Sequence, residues 1–112
     1  MLQDLKIFQK AYDFLFWLKP TVQRFAKVHK YSLGAQIENE AIELLRSIIQ
    51  ANFSRNNKKE LIKKCLVHYE VIKILIRLSK DFKLLSVRQY QFAGKELVEI
   101  GRLLGGWQRR FG

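Results

Sequence analysis

Breakers, thiols and long apolar runs are all scarce in this chain. Its 112 residues include one proline, one cysteine and six glycines. So few breakers leave long uninterrupted stretches, which excludes a many-turned β fold and favours long helices. Cys65 has no second cysteine to pair with inside the chain, so no oxidising compartment is implied. The longest apolar run, Phe14 to Leu18, is far too short to cross a bilayer. The opening MLQDLKIFQKAYDF places Asp4 before any apolar run and does not read as a secretory signal. Together these absences predict a soluble, cytoplasmic protein with no membrane contact. Acidic residues are also short, ten against twenty-one Lys and Arg.

What is present points to a folded, strongly basic unit. Hydrophobic residues make up 48%, too many for a disordered chain. The length suits one domain over 1–112, able to bury about two-thirds of its unfolded surface. The formal charge of +11 attracts polyanions. It is unevenly placed. Residues 1–52 hold seven basic and five acidic residues, whereas 53–112 hold fourteen and five. A polyanion is therefore expected to land on the second half.

Apolar periodicity divides the chain into four helices. The first runs from about Gln3 toward Phe25, with Leu5, Phe8, Tyr12, Leu15 and Val22 on one stripe and a kink expected at Pro20. Residues 26–31 read as a loop, and Ser32 as the N-cap of the second helix. There Leu33, Ile37, Ala41, Leu44, Ile48 and Ala51 form one stripe, and the helix fades within 52–57. In the third, Leu61, Cys65, His68, Ile72, Leu75 and Phe82 are expected inward. Lys59, Lys63, Lys73, Arg77 and Lys80 form a basic back. Residues 83–86 make a turn, and Ser86 caps a fourth helix with Val87, Tyr90, Ala93, Leu97, Ile100 and Leu104 inward. Long helices joined by short loops predict an all-α, antiparallel up-down-up-down four-helix bundle.

Phe14, Trp17, Phe92, Val98 and Leu103 fall off these stripes, and such residues on neighbouring helices are expected to form a self-assembly interface. At the C-terminal end, Gly105 and Gly106 are expected to end the last helix. Trp107 then folds back onto apolar surface of its own bundle or a neighbour's, joining the expected interface residues, and Arg109 and Arg110 join a basic rim.

No catalytic constellation stands out. Cys65 and His68 are three residues apart, but a zinc site needs three or four ligands, and His29 lies on another segment. A packed histidine and a buried thiol are the expected outcome, with no metal, cofactor or small-molecule substrate. LGGW lacks the Lys-Ser/Thr and following helix of a phosphate loop. No enzyme is expected. The basic back of the third helix, with Arg102, Arg109 and Arg110, is expected to contact phosphates of RNA or DNA without reading bases.

The run Glu99-Ile100-Gly101-Arg102-Leu103-Leu104-Gly105-Gly106-Trp107 resembles the C-terminal signature of the accessory variability determinant (Avd) family of diversity-generating retroelements. DFLFWLKPTVQRF (13–25), YSLGAQIENEAIELL (31–45) and LIRLSKDFKLLSVRQYQFA (75–93) resemble its earlier helices. A looser likeness extends to four-helix proteins encoded in ribosomal RNA intervening sequences. The Avd resemblance implies a four-helix bundle assembled as a homo-pentameric barrel. It implies binding to the retroelement's reverse transcriptase and to RNA and DNA. It also implies a non-catalytic part in copying template RNA into mutagenised cDNA. A general RNA-binding bundle tied to ribosomal RNA, or an interaction module with an acidic partner, are the alternatives.

Overall fold

A computed structural model describes residues 5–111 of the chain. Four long helices carry the structure: α1 (Lys6–Gln23), α2 (Ala35–Phe53), α3 (Lys58–Asp81) and α4 (Val87–Phe111). No strand occurs among the described residues. α1 packs on α2 and α4, and α3 packs on the same two helices, so the four surround one core. The body measures 43 × 23 × 22 Å. The expected start of the first helix at Gln3 lies outside the described residues.

The core is built in alternating steps of three and four residues, the spacing that keeps one helical stripe facing its neighbours. On α2 the inward residues are Ile37, Ala41, Leu44, Ile48 and Ala51, as expected. On α4 they are Ala93, Leu97, Ile100 and Leu104, followed by Trp107. Val87 is exposed, because it stands at the helix start beyond the packed layer. On α1 the inward residues are Ile7, Ala11, Phe14, Leu18 and Val22; of the expected stripe only Val22 is buried, with Leu5, Phe8 and Leu15 half-buried and Tyr12 exposed, and Pro20 sits inside the helix without ending it. The Thr21 hydroxyl beside it donates to the Trp17 carbonyl at 2.9 Å.

The inward stripe of α3 is shifted from the expected one. Ile62, Cys65, Tyr69, Ile72, Ile76 and Ser79 are buried, whereas Leu61, His68 and Leu75 sit half-buried at the edge and Phe82 is exposed. The reason is that α3 carries apolar residues around more than half its circumference. Two adjacent registers therefore satisfy the same spacing. Tyr69 settles the matter by reaching α4, where its hydroxyl donates to the Leu97 carbonyl at 2.8 Å.

A second expectation fails at residues 26–31, which form no loop: after Ala26 a helical turn Lys27–His29 leads into a π-helical turn Lys30–Gly34 that runs directly into α2. Ser32 does not cap a helix, since its hydroxyl donates back to the Val28 carbonyl at 3.0 Å. Gly34 permits the wide turn, because a Cβ there would lie 2.6 Å from a Val22 methyl.

The turn into α4 follows local chemistry closely. Lys83 adopts φ 62°. Beside it the Leu84 N–H reaches the Ser79 carbonyl and the Lys83 N–H reaches Lys80, both at 2.8 Å. This is a Schellman end with lysine where glycine is usual. Ser86 then caps α4 reciprocally. Its hydroxyl accepts from the Gln89 N–H at 3.0 Å, and its own N–H donates to the Gln89 side chain at 2.9 Å.

α4 does not stop at its glycine pair, which is the third correction. It continues through Gly105 and Gly106 to Phe111, and no glycine among the described residues has positive φ. Trp107 is held by the core as the next inward step of the helix, so helix propensity is overridden by burial of a large ring.

Candidate nucleic-acid interface

The exposed residues of α3 and α4 present two different kinds of surface. On α4, Arg88, Lys95, Arg102 and Arg109 recur every seven residues and all are exposed. A seven-residue step returns to nearly the same side of a helix. The four cations thus form one ridge, spaced about 10 Å apart over about 30 Å. Among the described residues only Arg102 on this ridge meets a carboxylate, donating to both oxygens of Glu99 at 2.6 and 3.0 Å. That hydrogen bond holds the Glu99 carboxyl below the usual glutamate range and raises the Arg102 guanidinium. Both groups stay solvated, so the pair is cheap to open.

The α3 stripe is more compensated. Lys59, Lys63, Lys73, Arg77 and Lys80 are all exposed. Lys63 lies 3.7 Å from Glu60, Lys73 3.3 Å from Glu70 and Lys80 3.4 Å from Asp81. Of these five cations only Lys59 and Arg77 have no carboxylate within 4 Å among the described residues. The ridge of α4 is the less neutralised track, and its step of seven is legible in the sequence. Arg88 and Lys95 stand outside the expected contact set, which took only Arg102, Arg109 and Arg110 from this helix.

Arg109 and Arg110 belong to the far end of α4. With Lys6 and Arg102 they border a groove of about 650 Å³ between the start of α1 and the end of α4, flanked by Leu103, Gly106 and Trp107. Lys58 lies over the Trp107 ring at 5.9 Å and the Phe111 ring at 5.0 Å. It also donates to the Asn52 carbonyl at 3.3 Å, tying the end of α2 to the end of α4.

The expected interface residues separate into two groups. Phe14 is 1% exposed and Trp107 is 7% exposed, so neither stands off the inward face: both are spent in the subunit's own core. Trp17 is half-buried, with ring centroids 5.8 Å from Phe14 and 5.0 Å from Phe92. Phe92 and Val98 are exposed and Leu103 is half-buried. Trp17, Phe92 and Leu103 lie along the α1–α4 side, and Val98 lies on the α3–α4 side.

Cys65 is fully buried, and desolvation pushes its thiol up to about 12, which keeps it protonated and unreactive at neutral pH. His68 is not a core residue. It stands half-buried between α2 and α3, with Nδ1 3.0 Å from a Glu40 oxygen. The two side chains expected to pack together therefore face different surroundings. Among the described residues no three His, Cys, Asp or Glu side chains gather as a metal site would need. No helix of the described residues is long and apolar enough to cross a membrane.

No curated protein matches the chain. A family model described as bAvd-like matches residues 5–111, and the chain belongs to that family.

Proposed function

We propose that the protein is a non-enzymatic accessory subunit of a diversity-generating retroelement. In this reading it is a basic scaffold that holds the reverse transcriptase together with template RNA or cDNA. Membership of the bAvd-like family supports the accessory role. The single observation that carries the nucleic-acid part is the ridge of Arg88, Lys95, Arg102 and Arg109, a straight cationic track of one helix with one local carboxylate partner. Such a track meets phosphates along a polyanion and reads no bases. Lys59, Lys63, Lys73, Arg77 and Lys80 on α3, and Arg110 beside the end of α4, are the second tier. The helices run up-down-up-down in one domain, and copies associate as the pentameric barrel expected of the family. Trp17, Phe92 and Leu103 are the first candidates for that contact. The working setting is the cytoplasm, with no cofactor.

Co-expression with the reverse transcriptase of its own retroelement tests the reading. The two proteins are expected to co-purify, and a template RNA is expected to join them. Charge reversal at Arg88, Lys95 and Arg109 is expected to remove the RNA while the far-UV helical signal stays unchanged. Affinity for a ribosomal RNA fragment with no polymerase capture would instead identify a ribosome-associated bundle.

A further inference from the structure

We infer that the outermost face of α3, with the groove it forms against α4, docks an acidic amphipathic helix of a partner protein. The inference rests on the reading above that the chain works by holding a protein partner. α3 carries two apolar seams. The inner one, described above, closes the core. The outer one is Val67, Val71, Ile74 and Leu78, spaced four, three and four residues apart on the side away from the core. Val67 is 61% and Ile74 64% exposed, in the middle of the longest-sided face of a helix otherwise rich in lysine. This spacing is what one helix offers to another, and it is not needed for the subunit's own packing.

The seam continues sideways into a groove of about 350 Å³ lined by Ile74, Val98, Leu97 and Gly94, with Glu70, Lys73 and Arg77 on its border and Glu70 bridged to Lys73. Val98 is 70% exposed. A Cβ on Gly94 would meet nothing within 4 Å, so the groove floor is open to a close approach. The Tyr69 hydroxyl at the base of the groove is already spent on the Leu97 carbonyl. The floor is thus apolar and the polar groups are at the rim.

Charge selects the occupant. The carboxylates on the exposed side of α3, Glu60, Glu70 and Asp81, are each already bridged to a lysine of the same helix. Lys64 and Arg77 have no carboxylate within 4 Å among the described residues, and the ridge of α4 runs alongside. An incoming surface with glutamates beside its apolar stripe meets this rim favourably. Duplexes present phosphate and sugar, and single-stranded bases stack on aromatic rings, so four aliphatic side chains offer a nucleic acid little.

The test uses a fluorescein-labelled helical peptide of about 20 residues, with leucines spaced four, three and four apart and glutamates on both flanks. A control peptide carries lysine for glutamate. Anisotropy is measured against the wild type, Ile74→Glu and Arg77→Gln, with RNA affinity, light-scattering mass and polymerase co-purification in parallel. The acidic peptide is expected to bind the wild type and the lysine peptide to be inert. Ile74→Glu is expected to weaken the peptide at least tenfold and Arg77→Gln several-fold, while subunit mass stays the same in both and RNA affinity is unchanged by Ile74→Glu. Ile74→Gln gives a milder second variant if the glutamate impairs folding. The inference is overturned by a wild type blind to the acidic peptide, or by equal binding of both Ile74 variants and the wild type. A drop in mass with Ile74→Glu would assign the face to another copy, and a loss of RNA would assign it to nucleic acid; either also overturns the inference. Peptide failure with polymerase capture intact removes this docking site alone, whereas loss of polymerase capture by the wild type removes the proposed function.

Discussion

At the scale of single residues, one close approach decides where α3 sits. Gly101 of α4 lies directly under Tyr69: a Cβ there would run into the Tyr69 hydroxyl and lie 2.7 Å from its Cζ. Tyr69 cannot easily yield. It is buried, its hydroxyl donates to the Leu97 carbonyl, and burial raises its phenol above the usual tyrosine range. Gly101→Ala must therefore displace a ring that also orders the inner seam of α3. The expected cost is about 1–3 kcal/mol, read as a lower urea midpoint at an unchanged slope. Gly94→Ala is the control on the same helix, because the added methyl meets nothing within 4 Å. It is expected to leave stability equal or higher. If Gly101→Ala matched that control, the tyrosine would not be a fixed spacer between the helices.

At the scale of elements, the four helices were legible because their apolar residues repeat with helical spacing and their ends carry chemistry. Ser86 followed three residues later by Gln89 is such an end, and both side chains cap as that pattern demands. The stripe of α2 was legible for a related reason: one side only is apolar enough to bury. α3 was misread by one residue because Val67, Val71, Ile74 and Leu78 dilute the contrast between inside and outside. Residues 26–34 were misread because the π-helical turn depends on Gly34 closing against Val22, a contact between segments that spacing along the chain does not encode. At the end of α4 the local signal for a stop was real, and Trp107 overrode it from the core. The glycine pair therefore remains a local weakness inside a helix. Methyl groups at Gly105 and Gly106 would come no nearer than 3.5 and 3.7 Å to the Arg109 side chain, so both sites accept alanine. Each replacement is expected to stabilise by up to about 1 kcal/mol, visible as additive rises in the denaturation midpoint. Destabilisation by either would mean that this stretch needs to leave the helix in some other state of the protein.

At the scale of the whole molecule, the two cationic tracks make different claims on a polyanion. The α3 stripe holds five cations, three of them bridged to carboxylates, and it borders the apolar seam. The α4 ridge holds four cations with one bridge and has no apolar residue on its line. A phosphate arriving at a bridged lysine must displace a carboxylate and leaves it unpaired beside new negative charge. Among the described residues no carboxylate bridges Arg88, Lys95 or Arg109, so a phosphate arriving there displaces solvent and counterions. The ridge should therefore dominate nucleic-acid affinity although the stripe has more charge in total. Counterion release turns this into a slope. Four phosphates met on a single strand give a slope of log affinity against log salt of about −3 per subunit. Replacing Arg88, Lys95 and Arg109 by glutamine is expected to flatten that slope toward about −1. The same treatment of Lys63, Lys73 and Lys80 should change it by less than one. Filter binding of a single-stranded RNA across a range of salt separates the two. Equal flattening by both sets would mean that the polymer wraps α3 and α4 together, and that bridging to local carboxylates does not protect a lysine from phosphate.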